Sequence, residues 1–218
     1  MVTTAAVVGI ALVALGLVLT PGPNMIYLVS RSILQGRRAG LVSLLGVAAG
    51  FLVYLAAAAA GLATLFVAVP VAYTALKLAG AAYLGHLAWQ ALRPGGTSVF
   101  APVETGEPVP PDPVRRLFAM GFLTNLLNPK IAVLYVSLLP QFVDPSRGSV
   151  AAQSLVLGAV QISIALTVNG LIVVFAGSLA GFLGRRPVWL RVQRRLMGGV
   201  LGALAVRLAT ERRPAAVG

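Results

Sequence analysis

Two short segments hold the residue types that suit a small charged molecule: Pro21-Gly22-Pro23-Asn24 and Asn128-Pro129-Lys130. Each sets proline inside an apolar stretch. Proline removes a backbone hydrogen bond and clashes with the preceding turn, so it breaks or kinks a helix. Inside a bilayer the freed groups need protein or water partners, and a break is tolerated where it lines a cavity. Asparagine is a good helix cap and proline suits the first helical position. Asn128-Pro129-Lys130 therefore reads as the start of a half-helix. Thr20 or Gly22, each followed by proline, starts a matching one before Asn24. Such an end offers free N–H groups and the positive end of the helix dipole, which favour an anion such as a carboxylate. Lys130 adds a full positive charge. We expect the two ends to meet near mid-membrane, with Asn24 and Asn128 as caps, and to hold the carboxylate of an amino acid. The plain alternative is that both prolines only kink their helices. Two breaks at matching places, one with a lysine beside it, favour a site. Lys130 lies 130 − 116 = 14 positions after Arg116, roughly 21 Å along a helix. That is too deep for easy snorkelling, and a charge at such depth is a functional candidate by default.

Other polar residues sit inside apolar stretches: Asn125, Gln161, Ser163, Thr167 and Asn169. Gln161 and Asn169 are eight apart and share a helix face. They line a pathway or join helices by hydrogen bonds. Tyr54 and Lys77 are candidates for the pathway or for coupling. Lys77 follows Pro70 closely, and snorkelling to an interface is the favoured reading of it. His86, near Arg93, is a proton carrier or an ordinary hydrogen-bonding residue. No Asp or Glu falls inside an apolar stretch. The five acids (Glu104, Glu107, Asp112, Asp144 and Glu211) all lie in loops or tails. Coupling through a buried carboxylate is thereby excluded. With one His and no Cys, no metal site and no cofactor are expected. No acid pair, His cluster or Ser–His arrangement supports an enzyme.

The elements that must position these residues follow from composition. Of 218 residues, 58% are hydrophobic and only 10% charged, and the mean hydropathy is +0.92. Soluble domains carry about 25% charged residues. The chain reads as an all-α integral membrane protein in a lipid bilayer. Its amino terminus lacks a basic region and resembles a retained first span. The first apolar stretch runs from Val2 to about Ser30 and is interrupted at Pro21–Pro23. The second runs from about Gly40 to Val69, and the third from about Val71 to Leu92. The fourth, about Leu117 to Val143, is interrupted at Asn128-Pro129. The fifth runs from about Val150 to Leu183. The sixth has an uncharged core of only Leu196 to Val206, completed by snorkelling arginines.

The net charge of 17 − 5 = +12 belongs to loops rather than to a nucleic-acid patch. With six spans, one side collects Arg31, Arg37, Arg38, Arg93, Arg115, Arg116, Arg185, Arg186, Arg191, Arg194 and Arg195. The other has Arg147, Arg207, Arg212 and Arg213. Eleven against four puts the first side in the cytoplasm.

The chain divides into a three-helix repeat over 1–92, a polar cytoplasmic loop over 93–116, and a second repeat over 117–218. The breaks are offset by 129 − 23 = 106 residues. Three spans per half is odd, so the second repeat is inverted. Paired interrupted spans in inverted repeats point to a transporter's binding site. Gly46-xxx-Gly50, Gly177-xxx-Gly181 and Gly198-xxx-Gly202 suit close helix packing.

At these residues the chain resembles the LysE-type translocators, which include lysine exporters and threonine/homoserine exporters. The shared features in the first half are Thr20-Pro21-Gly22-Pro23-Asn24, Gly36-Arg37-Arg38-Ala39-Gly40, Gly46 with Gly50, and Lys77-Leu78-Ala79-Gly80-Ala81-Ala82-Tyr83-Leu84. In the second half they are Gly121-Phe122-Leu123-Thr124-Asn125, Asn128-Pro129-Lys130 and Pro140-Gln141-Phe142-Val143-Asp144-Pro145. The resemblance covers nearly the whole chain in order. It implies a six-span exporter of amino acids or close derivatives in the bacterial plasma (inner) membrane, driven by a proton or ion gradient. Many members carry an acidic or His residue in the second span just after Gly-xxx-Gly. Phe51 and Tyr54 stand there instead, which speaks against the usual coupling chemistry and against a strongly cationic substrate. The competing readings are an exporter of another small solute or cation, and a non-transporting helix-packing subunit. Small-residue faces also leave a homo-oligomer open.

Overall fold

The computed structural model describes residues 2–62 and 112–184, with scattered positions between 74 and 93 and between 192 and 210. Lys77, residues 94–111 of the polar loop and part of the sixth segment lie outside the described residues. The described elements are helical: α1 (Thr4–Leu19), α2 (Pro23–Ala57), α3 (Val114–Leu126), α4 (Pro129–Val133) and α5 (Val150–Gly184). α2 ends in a π-helical turn, Ala58–Leu62. α4 runs on as a π-helical turn, Leu134–Leu138, and a 3-10 turn, Leu139–Phe142.

Two helices are long and apolar enough to cross a membrane, Pro23–Ala60 and Val150–Ala176. The pair Val114–Leu126 and Pro129–Phe142, bent by 48° at its break, makes a third when counted as one span. The first of these is not a single rod. Gly36 has φ 85° and ψ 169°, outside helical space, in a region that glycine enters without a Cβ clash. Tyr27 Oη lies 3.0 Å from Ser43 Oγ. On one straight helix those residues would stand about 24 Å apart. Ser32 Oγ likewise occupies the place where a Cβ on Gly40 would sit. The chain therefore turns back at Gly36, and residues 23–35 and 37–57 form two antiparallel legs.

Glycines set how closely the helices approach. A Cβ on Gly46 would strike the Phe118 carbonyl of α3, and one on Gly121 would strike the Ser43 carbonyl of α2. A Cβ on Gly50 would lie 2.8 Å from Asn125 Oδ1. The second leg of α2 and α3 thus touch backbone to backbone, as small-residue interfaces allow. Gly158 of α5 receives Leu55, and Gly198 receives Leu92.

Beside an apolar core, large apolar side chains lie on the outside and a group of polar ones lies inside. Leu12, Leu45, Leu127 and Phe175 are exposed, whereas Asn125, Asn128, Lys130, Gln161 and Asn169 are all buried. An apolar outer surface around a polar centre suits a bilayer.

One polar clamp ties the Gly36 turn to the start of α3. The Asp112 carboxylate accepts from Arg31 Nη1 at 2.7 Å, from Gln35 Nε2 at 2.8 Å and from Arg116 Nη1 at 2.9 Å. The Asp112 N–H donates back to Gln35 Oε1 at 3.0 Å. The Gln35 amide foremost, with the two guanidinium groups, holds the carboxyl below its ordinary value of 3.8.

Two outcomes follow. Gly46→Val forces α2 and α3 apart; overpacking of this kind costs about 1–3 kcal/mol, and at roughly 2–4 °C per kcal/mol for a chain of this size the melting temperature in detergent falls by about 2–12 °C. Asp112→Asn lowers the melting temperature at pH 7. A depressed carboxyl stabilises above its unfolded value and loses that contribution as pH falls through the folded one. The gap between wild type and Asp112→Asn should therefore be constant above about pH 5 and close below about pH 4. Thermal scans against pH read both effects.

Candidate functional site

The first break separates Leu19 from Pro23. α1 ends there with its last carbonyls lacking helical partners. Lys130 Nζ, arriving from α4, donates to Leu17 O at 2.7 Å and to Thr20 O at 2.8 Å. Thr20 Oγ1 donates to Gly16 O at 2.7 Å. α2 restarts with Gly22 as its cap and Pro23 in the first turn. Asn24 is therefore not a cap, contrary to the sequence expectation. Gly22, one of the two starts that the sequence offered, takes that place: Pro23 suits the first helical position, and the residue before it becomes the cap. Asn24 sits inside the first turn, buried, with its Oδ1 unpartnered.

The second break separates Leu126 from Pro129. Asn128 caps α4 as the sequence predicts: its Oδ1 accepts from the Lys130 N–H at 3.0 Å. The C-terminal end of α3 is closed from the other half, since Tyr54 Oη donates to Leu126 O at 2.8 Å. Asn125 is fully buried against Gly50. Both of its amide atoms, and Asn128 Nδ2, lack partners.

The breaks meet at one cavity. It is lined by Leu17 and Val18 of α1, Asn24, Met25 and Phe51 of α2, Lys130, Ile131 and Leu134 after the second break, and Gln161, Ala165 and Asn169 of α5. Residues 161, 165 and 169 follow the four-residue spacing of one helix face. The free volume is about 20 Å³, room for one water. In this conformation the groups are closed on each other.

Lys130 is 5% exposed. A lysine at a helix centre costs about 2.5–3.5 kcal/mol to bury in a membrane. Two hydrogen bonds from a charged donor return about 1.5–3 kcal/mol each, and the negative end of α1 adds to them. The ammonium is thus held without any acid. An ammonium has three N–H donors; two are spent on α1. The space is tight: a Cβ on Gly22 would lie 2.8 Å from Nζ.

The profile of the family described as LysE type translocator matches residues 15–212. The chain belongs to the LysE-type translocator family. Members of this family are transporters, not enzymes. The translocator is 32% identical to an uncharacterized membrane protein of Pseudomonas aeruginosa, over 88% of this chain and 89% of that protein. It is 27% identical to a leucine efflux protein of Salmonella choleraesuis, over 90% of this chain and 91% of the relative. It is 30% identical to a homoserine/homoserine lactone efflux protein of Salmonella typhimurium, over 89% of this chain and 91% of the relative. No solved structure matches.

In this translocator the structure brings together Asn24, Lys130, Gln161 and Asn169 of the residues singled out from sequence, with Gly22 against Lys130. Pro21, Pro23 and Pro129 form the breaks. Asn125, Asn128 and Tyr54 lie around the second break, outside the cavity wall. Lys77 falls outside the described residues. Sequence reasoning missed Met25, Leu17 and Val18, whose apolar side chains carry no signal among so many others. It also missed Tyr135, which stacks on Tyr54 with ring centroids 5.4 Å apart.

The Lys130 contact predicts a coupled pair of variants. The three atoms nearest to a Cβ on Gly22 all belong to Lys130. Gly22→Ala displaces the ammonium and costs about 1–3 kcal/mol, the price of stranding buried acceptors. Lys130→Ala costs a similar amount. In a Lys130→Ala background, Gly22→Ala should cost almost nothing. Thermal denaturation of the two single variants and the double variant measures this coupling.

Proposed function

We propose that this translocator exports neutral amino acids with apolar side chains from the cytoplasm across the bacterial plasma membrane. The observation that carries the reading is the cavity between the two helix breaks. Its charged lining residue is a lysine with a donor to spare, and its remaining wall is mostly apolar. A carboxylate fits beside Lys130 and the first turn of α2, where the N–H groups of Asn24 and Met25 have no helical acceptor. The substrate ammonium fits the unpartnered Asn24 Oδ1. An aliphatic side chain fits among Leu17, Val18, Met25, Phe51 and Leu134. Phe51 offers no charge to a cationic side chain. The relatives named for leucine and homoserine efflux support a neutral substrate.

On this reading the chain crosses the membrane six times, with 1–92 and 117–218 as inverted three-helix repeats joined by a cytoplasmic loop. α1 with the first leg of α2 makes the broken first span; α3 with α4 makes the broken fourth. The site alternates its access as the halves rock. A cavity sized for one water must open for each substrate, and the Asp112 clamp across the halves is a contact that opening on its side must part. The gradient of a proton or another ion drives the cycle. No carboxylate in the wall serves as carrier, which leaves Lys130 as the charge that changes partners.

The test is efflux. Cells are loaded with dipeptides that release single amino acids, and the amino acids appearing outside are followed with and without the protein. Leucine-like residues should leave faster, and Lys130→Ala should abolish the gain at equal expression. Normal export by Lys130→Ala and Asn128→Ala would remove the proposed site. Unchanged efflux of every amino acid, with expression confirmed, would remove the substrate class.

A further inference from the structure

Gln161 presents a carboxamide to the cavity, and a carboxamide offers either donors or an acceptor depending on which way it faces. That choice is made outside the cavity wall. Tyr135 Oη donates to Gln161 Oε1 at 2.8 Å. Both residues are buried. Tyr135 is held in its turn: its ring stacks on Tyr54 at 24° between planes, and Tyr54 is anchored to Leu126 O at the second break. The tyrosine proton occupies the amide oxygen. The NH₂ group is then the part of Gln161 left for the cavity.

We propose that Tyr135 is a positioning residue that sets the polarity of the site, turning Gln161 so that its NH₂ donates to the carboxylate of the substrate. The inference rests on the amino-acid reading above and deepens it. Gln161 and Lys130 together make a two-donor seat, while Asn24 Oδ1 supplies the acceptor. Among the described residues the Tyr135 hydroxyl donates to Gln161 Oε1 alone, and losing that acceptor on reversal of the amide would leave a buried donor unpaired, so the orientation is held by Tyr135 rather than by the ligand. Without the hydroxyl, the amide is free to rotate and to offer its oxygen to the carboxylate, which repels it.

The experiment uses the purified full-length chain in nanodiscs. Binding of radiolabelled L-leucine is competed by unlabelled L-leucine and by L-leucinamide, which keeps the ammonium and side chain but lacks the carboxylate. Wild type should prefer leucine strongly. Tyr135→Phe should weaken leucine binding about tenfold, the equivalent of one hydrogen bond of this kind, and leave leucinamide nearly unchanged, so that the preference collapses. Gln161→Met should show the same collapse, and adding Tyr135→Phe to it should change the preference no further. Equal weakening of both ligands by Tyr135→Phe would mark a packing role and overturn the proposal. So would an undiminished preference, or a further drop in the double variant. Should Tyr135→Phe fail to fold, Gln161→Met and Gln161→Glu decide: Glu, which presents only oxygen to the cavity, must reverse the preference toward leucinamide. Loss of leucine binding in Gly22→Ala, with Tyr135→Phe unaltered, would sink this inference and keep the site. Absence of leucine binding by wild type would remove the amino-acid reading and this inference with it.

Discussion

A helix that stops in the middle of an apolar bundle leaves carbonyls facing nothing, and the whole centre of this protein is arranged around that problem. α1 stops at Leu19 and α3 at Leu126. Unpaired carbonyls at such a depth cost several kcal/mol in hydrocarbon. Each end is closed by a side chain from the other half. Lys130 reaches back to Leu17 and Thr20, and Tyr54 reaches forward to Leu126. The capping is reciprocal. Neither break can be satisfied unless both halves are in place, so the breaks hold the halves together at the point where the cavity lies.

Such reach is possible only because the helices are close. Tyr54 lies four residues after Gly50, and Gly50 touches Asn125, one residue before the carbonyl that Tyr54 caps. The same packing that excludes a Cβ at Gly46 and Gly121 brings the tyrosine within hydrogen-bond distance of the broken end. Small residues thus serve the polar centre as well as the apolar interface. The π-helical turns at Ala58–Leu62 and Leu134–Leu138 flank Tyr54 and carry Tyr135. Extra residues in a helical turn shift the face that follows, and here they bring the two rings into stacking contact.

The breaks were legible in the sequence because their chemistry is local. Proline, an asparagine cap and a glycine act within a few residues, so Asn128 and the Pro21–Pro23 interruption emerged where expected. Asn24 misled because a capping residue type stood two residues after the true cap, and a glycine cap leaves no side-chain signature to decide between them. The depth of Lys130 was readable from spacing; its partners were not, since they are backbone carbonyls more than a hundred residues away and any residue type supplies a carbonyl. The reversal at Gly36 announced itself only as a basic stretch. Arg31 looked like a loop charge that orients the chain, and Asp112 like an acid of a polar loop. Their pairing needed the fold, because nothing local links residues 81 positions apart.

Both breaks restart a helix on a proline, but their capping chemistry differs, and on the proposed reading that difference decides what the site can hold. At the second break Asn128 consumes the Lys130 N–H, and α4 is short before its winding changes. At the first break Gly22 has no side chain to give, so the first turn of α2 keeps its donors. On the proposed reading an anion is drawn toward α2, where it meets the Lys130 ammonium. A symmetric pair of capped breaks would have spent these donors internally. A symmetric pair of glycine caps would have left two competing seats and no lysine between them. The asymmetry concentrates positive character at one wall, leaves Asn24 Oδ1 as the acceptor, and gives the remaining volume to Leu17, Val18, Met25, Phe51 and Leu134. A small zwitterion with an apolar side chain satisfies all three at once, whereas a cationic side chain would meet only Phe51 and its apolar neighbours.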